Sequence, residues 1–262
     1  MKNIKVSFIS KRALMLSVLL NLTNVSFSQK PDSTKVSGQF GAAVTVTNKG
    51  ISLIPNLTLG KPAAIFDMSV GGKRLSFEPQ FRFALDGKPW TFILWWRYKL
   101  VKKEKFQLNL GAHPAFAFKP VTLTKDGNSK EILRAQQYVA GELVPTYSIS
   151  NNISLSIYYL YIHALEKDLT QSANYLALRC NFSNIRLSEK FYIKFNPQVY
   201  YLEIDTVDGY YANATLTLAR RNFPFSISTL VNKTIKSEIP VGEDFIWNVS
   251  LTYFFSKEYV RK

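Results

Sequence analysis

The stretch RLSFEPQFRFAL, residues 74–85, decides the fold class of this protein. Its odd positions carry Leu, Phe, Pro, Phe, Phe and Leu, whereas its even positions carry Arg, Ser, Glu, Gln, Arg and Ala. Successive side chains of a β-strand point to opposite sides, so this period of two predicts a strand with one apolar and one mostly polar face. Twelve residues exceed the five or six of a typical strand and suffice to cross a bilayer at a tilt.

The same alternation recurs along most of the chain. Together with 74–85 it gives thirteen segments, the others being 39–47, 51–59, 63–70, 90–100, 106–118, 131–147, 152–163, 171–183, 191–204, 208–219, 223–233 and 245–255. A single-chain barrel with both ends on one side of a membrane needs an even number of strands, so one early segment is expected to be miscounted. We predict an all-β, transmembrane antiparallel β-barrel of about 12 strands, with 10 or 14 as alternatives. A soluble β-sandwich is the competing architecture, but it does not require Tyr and Trp at strand ends.

Composition excludes several other classes of protein. Cys180 is the single cysteine and there are two histidines, so neither a disulfide-stapled fold nor a zinc-binding pattern is present. After residue 28, no apolar run approaches the roughly 18 residues of a transmembrane helix. No glycine-rich phosphate loop appears either. The chain is therefore expected to bind no cofactor.

The N-terminus has the features of a cleavable leader. Four basic residues within the first twelve precede the largely apolar stretch 13–20 and the small residues Ser26 and Ser28. We predict a signal peptide at 1–28, a short segment at 29–37, a barrel at 38–255 and a tail at 256–262. Removing the leader leaves 33 − 4 = 29 basic and 18 acidic residues, a net charge of +11. Such a surplus favours outer-membrane lipids and lipopolysaccharide phosphates as partners rather than nucleic acid, and it leaves envelope protein partners and the oligomeric state open.

The last segment alternates Phe245, Trp247, Val249, Leu251, Tyr253 and Phe255 almost to the C-terminus. It is similar to the terminal aromatic strand of outer-membrane proteins, and the chain as a whole resembles the general class of small Gram-negative outer-membrane β-barrels. The resemblance implies a location in the outer membrane. Because loops are longer on the extracellular side, the connections 119–130, 164–170 and 234–244 are expected to lie outside the cell.

Strand parity assigns a predominantly basic set of side chains to the barrel interior. The predicted lumen residues are Arg74, Glu78, Arg82, Arg97, Lys99, Lys105, His113, Arg134, Glu142, Arg179 and Lys194. Two interpretations remain open. The set lines a porin-like conduit for small solutes that favours anions, or it fills and cross-links a narrow interior in a structural or assembly component of the envelope.

An enzymatic alternative rests on residues predicted to face lipid. His163 has outward parity near a strand end, Ser172 follows on the next strand with the same parity, and Asn174 lies two residues further. The arrangement resembles outer-membrane phospholipase A, a calcium-dependent lipid hydrolase. That family has a His-x-Ser run on one strand, whereas here Leu165 occupies the serine position, so Ser172 would have to act from the neighbouring strand with Asn174 orienting His163.

Overall fold

The computed structural model describes residues 37–125, 128–240 and 243–260, so the predicted signal peptide lies outside the described residues. The described chain forms a closed antiparallel barrel of twelve strands, which confirms the predicted fold class. The strands are β1 Ser37–Thr47, β2 Ala63–Gly71, β3 Leu75–Ala84, β4 Pro89–Lys102, β5 Phe106–Lys125, β6 Asn128–Ser148, β7 Ile153–Ala164, β8 Ser172–Arg186, β9 Phe191–Ile204, β10 Val207–Arg220, β11 Phe225–Ser237 and β12 Phe245–Val260.

Each strand pairs with its neighbour in sequence, and β12 pairs with β1 to close the barrel. One end, here called the terminus end, carries the start of β1, the end of β12 and the turns 72–74, 103–105, 149–152, 187–190 and 221–224. The opposite end, the loop end, carries the connections 48–62, 85–88, 126–127, 165–171, 205–206 and 238–244. Closure leaves no edge strand, because every strand is hydrogen-bonded to a neighbour on each side, as a barrel in lipid requires.

Three boundaries differ from the sequence-based prediction. Residues 51–59 are not a strand, because the connection 48–62 contains only a 3-10 helix, Pro55–Leu57; this is the miscounted segment. The predicted loop 119–130 is mostly strand, because β5 and β6 pair as far as Lys125 and Asn128. The predicted tail also begins too early, since β12 continues to Val260 opposite Ser37.

Burial follows the predicted alternation. Trp95 is 5% exposed inside the barrel, whereas Trp96 is 52% exposed on the outer wall. Large apolar side chains such as Leu155, Ile157 and Val199 cover the rest of that wall. Among the described residues, no helix is long and apolar enough to span a membrane.

The interior has two unlike halves. Toward the loop end, inward side chains of β6–β10, including Leu160, Tyr175 and Leu202, pack into a buried apolar core. Ile54 from connection 48–62 and Ile239 from connection 238–244 enter the same core. Toward the terminus end the inward side chains are polar, among them Arg179, Asn181, Lys194, Asn196 and Gln198.

Candidate functional site

A cavity of ≈ 310 Å³, here called the lumen cavity, lies inside the barrel against connection 48–62. Leu53, Ile54 and Leu57 of that connection line one side, and inward side chains of β3–β8 line the other. The volume is at the small end of the range for small-molecule sites. The connection 48–62, which we call the strap, thus takes part in the wall of an internal cavity.

The strap is fixed by hydrogen bonds to the barrel and within itself. Trp90 Nε1 donates to the carbonyl oxygen of Leu57 at 2.8 Å. The Gly50 nitrogen donates to the carbonyl of Lys61 at 2.9 Å, and Leu59 donates to the carbonyl of Gly50 at 3.0 Å. A Cβ on Gly50 would lie 3.0 Å from the Trp90 ring, so glycine lets the strap approach the wall.

An ion network crosses the lumen next to the cavity. Arg97 Nε donates to Glu142 Oε1 at 2.6 Å, and Arg97 Nη1 donates to Glu78 Oε2. Tyr158 donates to the other oxygen of Glu142 at 2.8 Å. The Glu142 side chain is 2% exposed, and a Cβ on Gly111 would lie 2.7 Å from Glu142 Oε1, so a glycine makes room for this carboxylate. The charge of Arg97 is therefore compensated within the wall.

Two other arginines of the cavity wall have no carboxylate within ion-pair distance among the described residues. Arg82 Nη2 donates to Gln80 Oε1 at 3.0 Å, and Arg179 Nε donates to Gln198 Oε1 at 2.7 Å, both amide acceptors. Within the described part of the chain, neither guanidinium forms an ion pair with a carboxylate. Arg179 also stacks over the Tyr158 ring, 3.6 Å from its centroid. The wall thus presents two guanidinium groups whose hydrogen-bond partners are neutral.

Most predicted lumen residues lie inside the barrel, but three lie elsewhere. Arg82, Arg97, His113 and Arg179 line the lumen cavity, and Glu78 and Glu142 contact Arg97 beside it. Lys99 and Lys194 are half-buried inward residues nearer the terminus end. Lys105 and Arg74 lie exposed in terminus-end turns rather than on a strand. Arg134 is on the part of β6 that extends past the pairing with β7, so it is above the barrel wall.

Arg134 belongs to an ion cluster at the loop-end rim. Its guanidinium donates to Glu166 and to both oxygens of Asp168 in connection 165–171, with Nη2 2.9 Å from Asp168 Oδ1. Glu166 Oε1 also accepts from the Gln137 amide at 3.0 Å. Hydrogen bonding to Arg134 holds the pKa of Glu166 and the pKa of Asp168 below their ordinary values.

The sequence-based assignment overlooked several residues of the site. Asp67, on β2 opposite Gln80 in register, is an acidic side chain that interacts electrostatically with Arg82 without forming an ion pair within 4 Å. Thr91 and Trp95 follow the same inward parity as Arg97 and complete the cavity wall. Alternation in 63–70 and 90–100 is the signal that could have found all three.

The outer wall near the loop end carries the proposed hydrolase residues. His163 and Ser172 are directly opposite each other in the β7–β8 register. Among the described residues no hydrogen bond joins their side chains, and the His163 ring stacks with Tyr161 at 6.5 Å between centroids. Asn174 accepts from Tyr159 and donates to Glu203, each at 2.9 Å. The predicted orienting amide is therefore bonded to residues other than His163.

The described residues contain no group of three or more His, Cys, Asp or Glu side chains that could hold a metal ion. Several buried polar atoms in the same range have no hydrogen-bond partner. Three of them belong to cavity-lining residues: Arg82 Nε, Thr91 Oγ1 and His113 Nδ1. An unsatisfied buried polar atom costs free energy, so a small side-chain movement that gives these residues a partner from the cavity would be favourable.

Comparison with solved structures agrees with the fold. The chain is similar to an outer-membrane channel from Pseudomonas putida F1, with 10% identity, a TM-score of 0.50, and coverage of 87% of this chain and 100% of that chain. It is also similar to the NanC porin, with 8% identity, a TM-score of 0.50, and coverage of 84% of this chain and 100% of that chain. No protein-family model and no curated protein matches the sequence. In fold, the chain is a barrel of the outer-membrane class.

Proposed function

We propose that the protein is an outer-membrane barrel that acts as a porin-like conduit for small solutes and favours anions, with its loop end facing outward. The observation that carries this proposal is the lumen itself: below the strap the inward side chains are polar, and Arg179 and Lys194 have no carboxylate partner among the described residues. An interior that served only to fill the barrel would pair these cations, because an uncompensated charge away from water is costly.

The terminus-end mouth has the same sign of charge. Its turns contain Lys73, Arg74, Lys103, Lys105, Lys190 and Arg221, against Glu104 and Glu189. Clusters of one charge at the entrance of a low-dielectric channel concentrate the opposite ion there. The two structural neighbours reported above are a channel and a porin, which supports the same proposal.

In this proposal the strap narrows the conduit toward the loop end. Ile54 is 6% exposed and packs with Trp95 and Tyr158 in the interior core, so the strap occupies space that a solute would have to cross. Replacing residues 52–58 by a short Gly/Ser linker is therefore expected to raise conductance. We assign the strap the role of a constriction.

Planar-bilayer recording tests the conduit. We expect measurable conductance in a salt gradient, a reversal potential showing that anions permeate better than cations, and a larger conductance for the strap variant. The double variant Arg179→Gln/Lys194→Glu should lose much of the anion preference, whereas Lys167→Glu, on an exposed loop outside the lumen, should not change it. Cation preference would contradict the anion assignment. If neither the wild type nor the strap variant conducts, the conduit is wrong and a structural or assembly role is favoured.

A further inference from the structure

We infer that the lumen cavity binds a small amphipathic monocarboxylate, a molecule with one carboxylate group and a compact aromatic or branched aliphatic body. This inference names the solute class of the conduit proposed above and so rests on that proposal. It is carried by arginine side chains without an ion-pair partner, by polar side chains with unpartnered atoms and by apolar side chains, all of which line the same cavity.

The polar side of the cavity is formed by neighbouring strands. Arg82 on β3 and Thr91 on β4 are register partners, and His113 follows on β5 in edge-to-face contact with the Trp95 ring, 4.0 Å between centroids. Thr91 is 6% and His113 is 7% exposed. Arg82 Nε, Thr91 Oγ1 and His113 Nδ1 have no hydrogen-bond partner, although all three residues line the cavity.

A carboxylate matches these atoms better than a neutral group does. The Arg82 guanidinium is a charged donor, and a hydroxyl such as that of Thr91 can also donate, so both oxygens of one carboxylate can accept hydrogen bonds there. Arg82 and Arg179 lack ion-pair partners among the described residues, and Asp67, the acidic side chain nearest Arg82, is not part of the cavity wall. A bound anion would supply the missing negative charge.

The opposite side of the cavity selects the rest of the molecule. Ile54 and Leu57 of the strap and Leu160 and Ile162 of β7 line the apolar part of the cavity and belong to one packed cluster, with Tyr138 also in the lining. None of these four aliphatic side chains can hydrogen-bond, so a sugar or a second charge would lose its hydration there without compensation. The volume of ≈ 310 Å³ is sufficient for a body of one ring, since a cavity of about 150 Å³ already holds benzene.

Calorimetric titration of the folded wild-type protein in detergent micelles tests the inference, with benzoate as the probe. We expect saturable binding of benzoate, and at least tenfold weaker binding of both benzamide, which keeps the ring without the charge, and acetate, which keeps the charge without the ring. Benzoate should also change the fluorescence of Trp95, and that change should disappear in Trp95→Phe.

Variants localise the site. Arg82→Gln should weaken benzoate binding at least tenfold, Arg82→Lys should restore part of it, and Arg134→Gln at the loop-end rim should leave it unchanged. Thr91→Val offers a second variant at a residue with no partner to lose, should Arg82→Gln fail to fold. Equal binding of benzoate and benzamide, or no saturable binding to the folded wild type, would overturn the inference. If the protein conducts but does not bind benzoate, only the ligand assignment is contradicted. If it binds benzoate but does not conduct, only the conduit is contradicted.

Discussion

Arg97 and Arg134 each hold two carboxylates, but one cluster lies in the lumen and the other at the loop-end rim. Arg97 bridges Glu78 and Glu142, and the Glu142 side chain is 2% exposed. Arg134 bridges Glu166 and Asp168, and the Asp168 side chain is 58% exposed. Water can solvate the rim charges if a partner is lost, whereas the lumen charges depend on each other. The same arrangement of side chains should therefore contribute to stability in one place and to local order in the other.

Removal of one carboxylate from each cluster gives the largest expected difference. Glu142→Gln leaves Arg97 with a single acidic partner inside the barrel, so we expect the free energy of unfolding to fall by less than the about 3–5 kcal/mol that a buried charge left without any partner costs. Glu166→Gln should change the unfolding midpoint far less, because its cluster is solvated. Urea unfolding of both variants in micelles measures the two shifts. Equal shifts would show that the lumen is as well hydrated as the rim and would remove the basis of the comparison.

The sequence alone predicts part of the lumen cluster, but it misplaces the arginine of the rim cluster. Alternation in 74–85 and 90–100 places Glu78 and Arg97 on the inward face without any structure. It does not say that Glu142, 45 residues further along the chain, reaches the same guanidinium, because cross-strand register depends on how the strands stagger around the barrel. For Arg134 parity is misleading, because alternation continues where a strand rises past its neighbour and no interior remains.

The strap shows a second limit of periodicity. Residues 51–59 alternate like a strand, with Ile51, Leu53, Leu57 and Leu59 on one side of the pattern. In the structure they bend at Pro55 into a 3-10 turn and bury Ile54 and Leu57 against the lumen wall. Alternation over a short segment indicates only that one face of the segment is buried. A segment that lies inside a barrel has such a face, and so does a strand of the barrel wall. The lumen cavity was therefore invisible to sequence reasoning, although most of the side chains that form its polar side were assigned inward.

Protonation of Glu166 in the rim cluster is expected to have a smaller effect, which is limited to local order at the rim. The folded-state pKa of Glu166 is lowered by Arg134, so its contribution to local order is complete above the ordinary glutamate value of about 4.3 and is lost as the pH falls through the lowered pKa. The Gln137 amide donates to Glu166, so its NMR chemical shift should titrate with a midpoint below that ordinary value. Arg134→Gln should raise the midpoint. Asp86, whose pKa is lowered mainly by Lys61, is the control and should titrate identically in both proteins; an unchanged Gln137 midpoint would contradict the assignment to Arg134.

The smallest effect is expected on the outer wall, where polar side chains face neither the lumen nor the rim cluster. A lipid hydrolase would need the His163 imidazole bonded to the Ser172 hydroxyl and held by a third group, because nucleophile and base act as one unit. The two residues are opposite each other in register, yet Asn174 is bonded to Tyr159 and Glu203 instead of to His163. We therefore expect no release of fatty acid when purified protein is incubated with phospholipid and calcium in detergent. Ser172→Ala and His163→Ala should both fold with the wild-type unfolding midpoint, since neither side chain bonds to the other. Calcium-dependent hydrolysis that disappears in Ser172→Ala would establish the enzymatic alternative and make the outer wall, rather than the lumen, the functional region of this barrel.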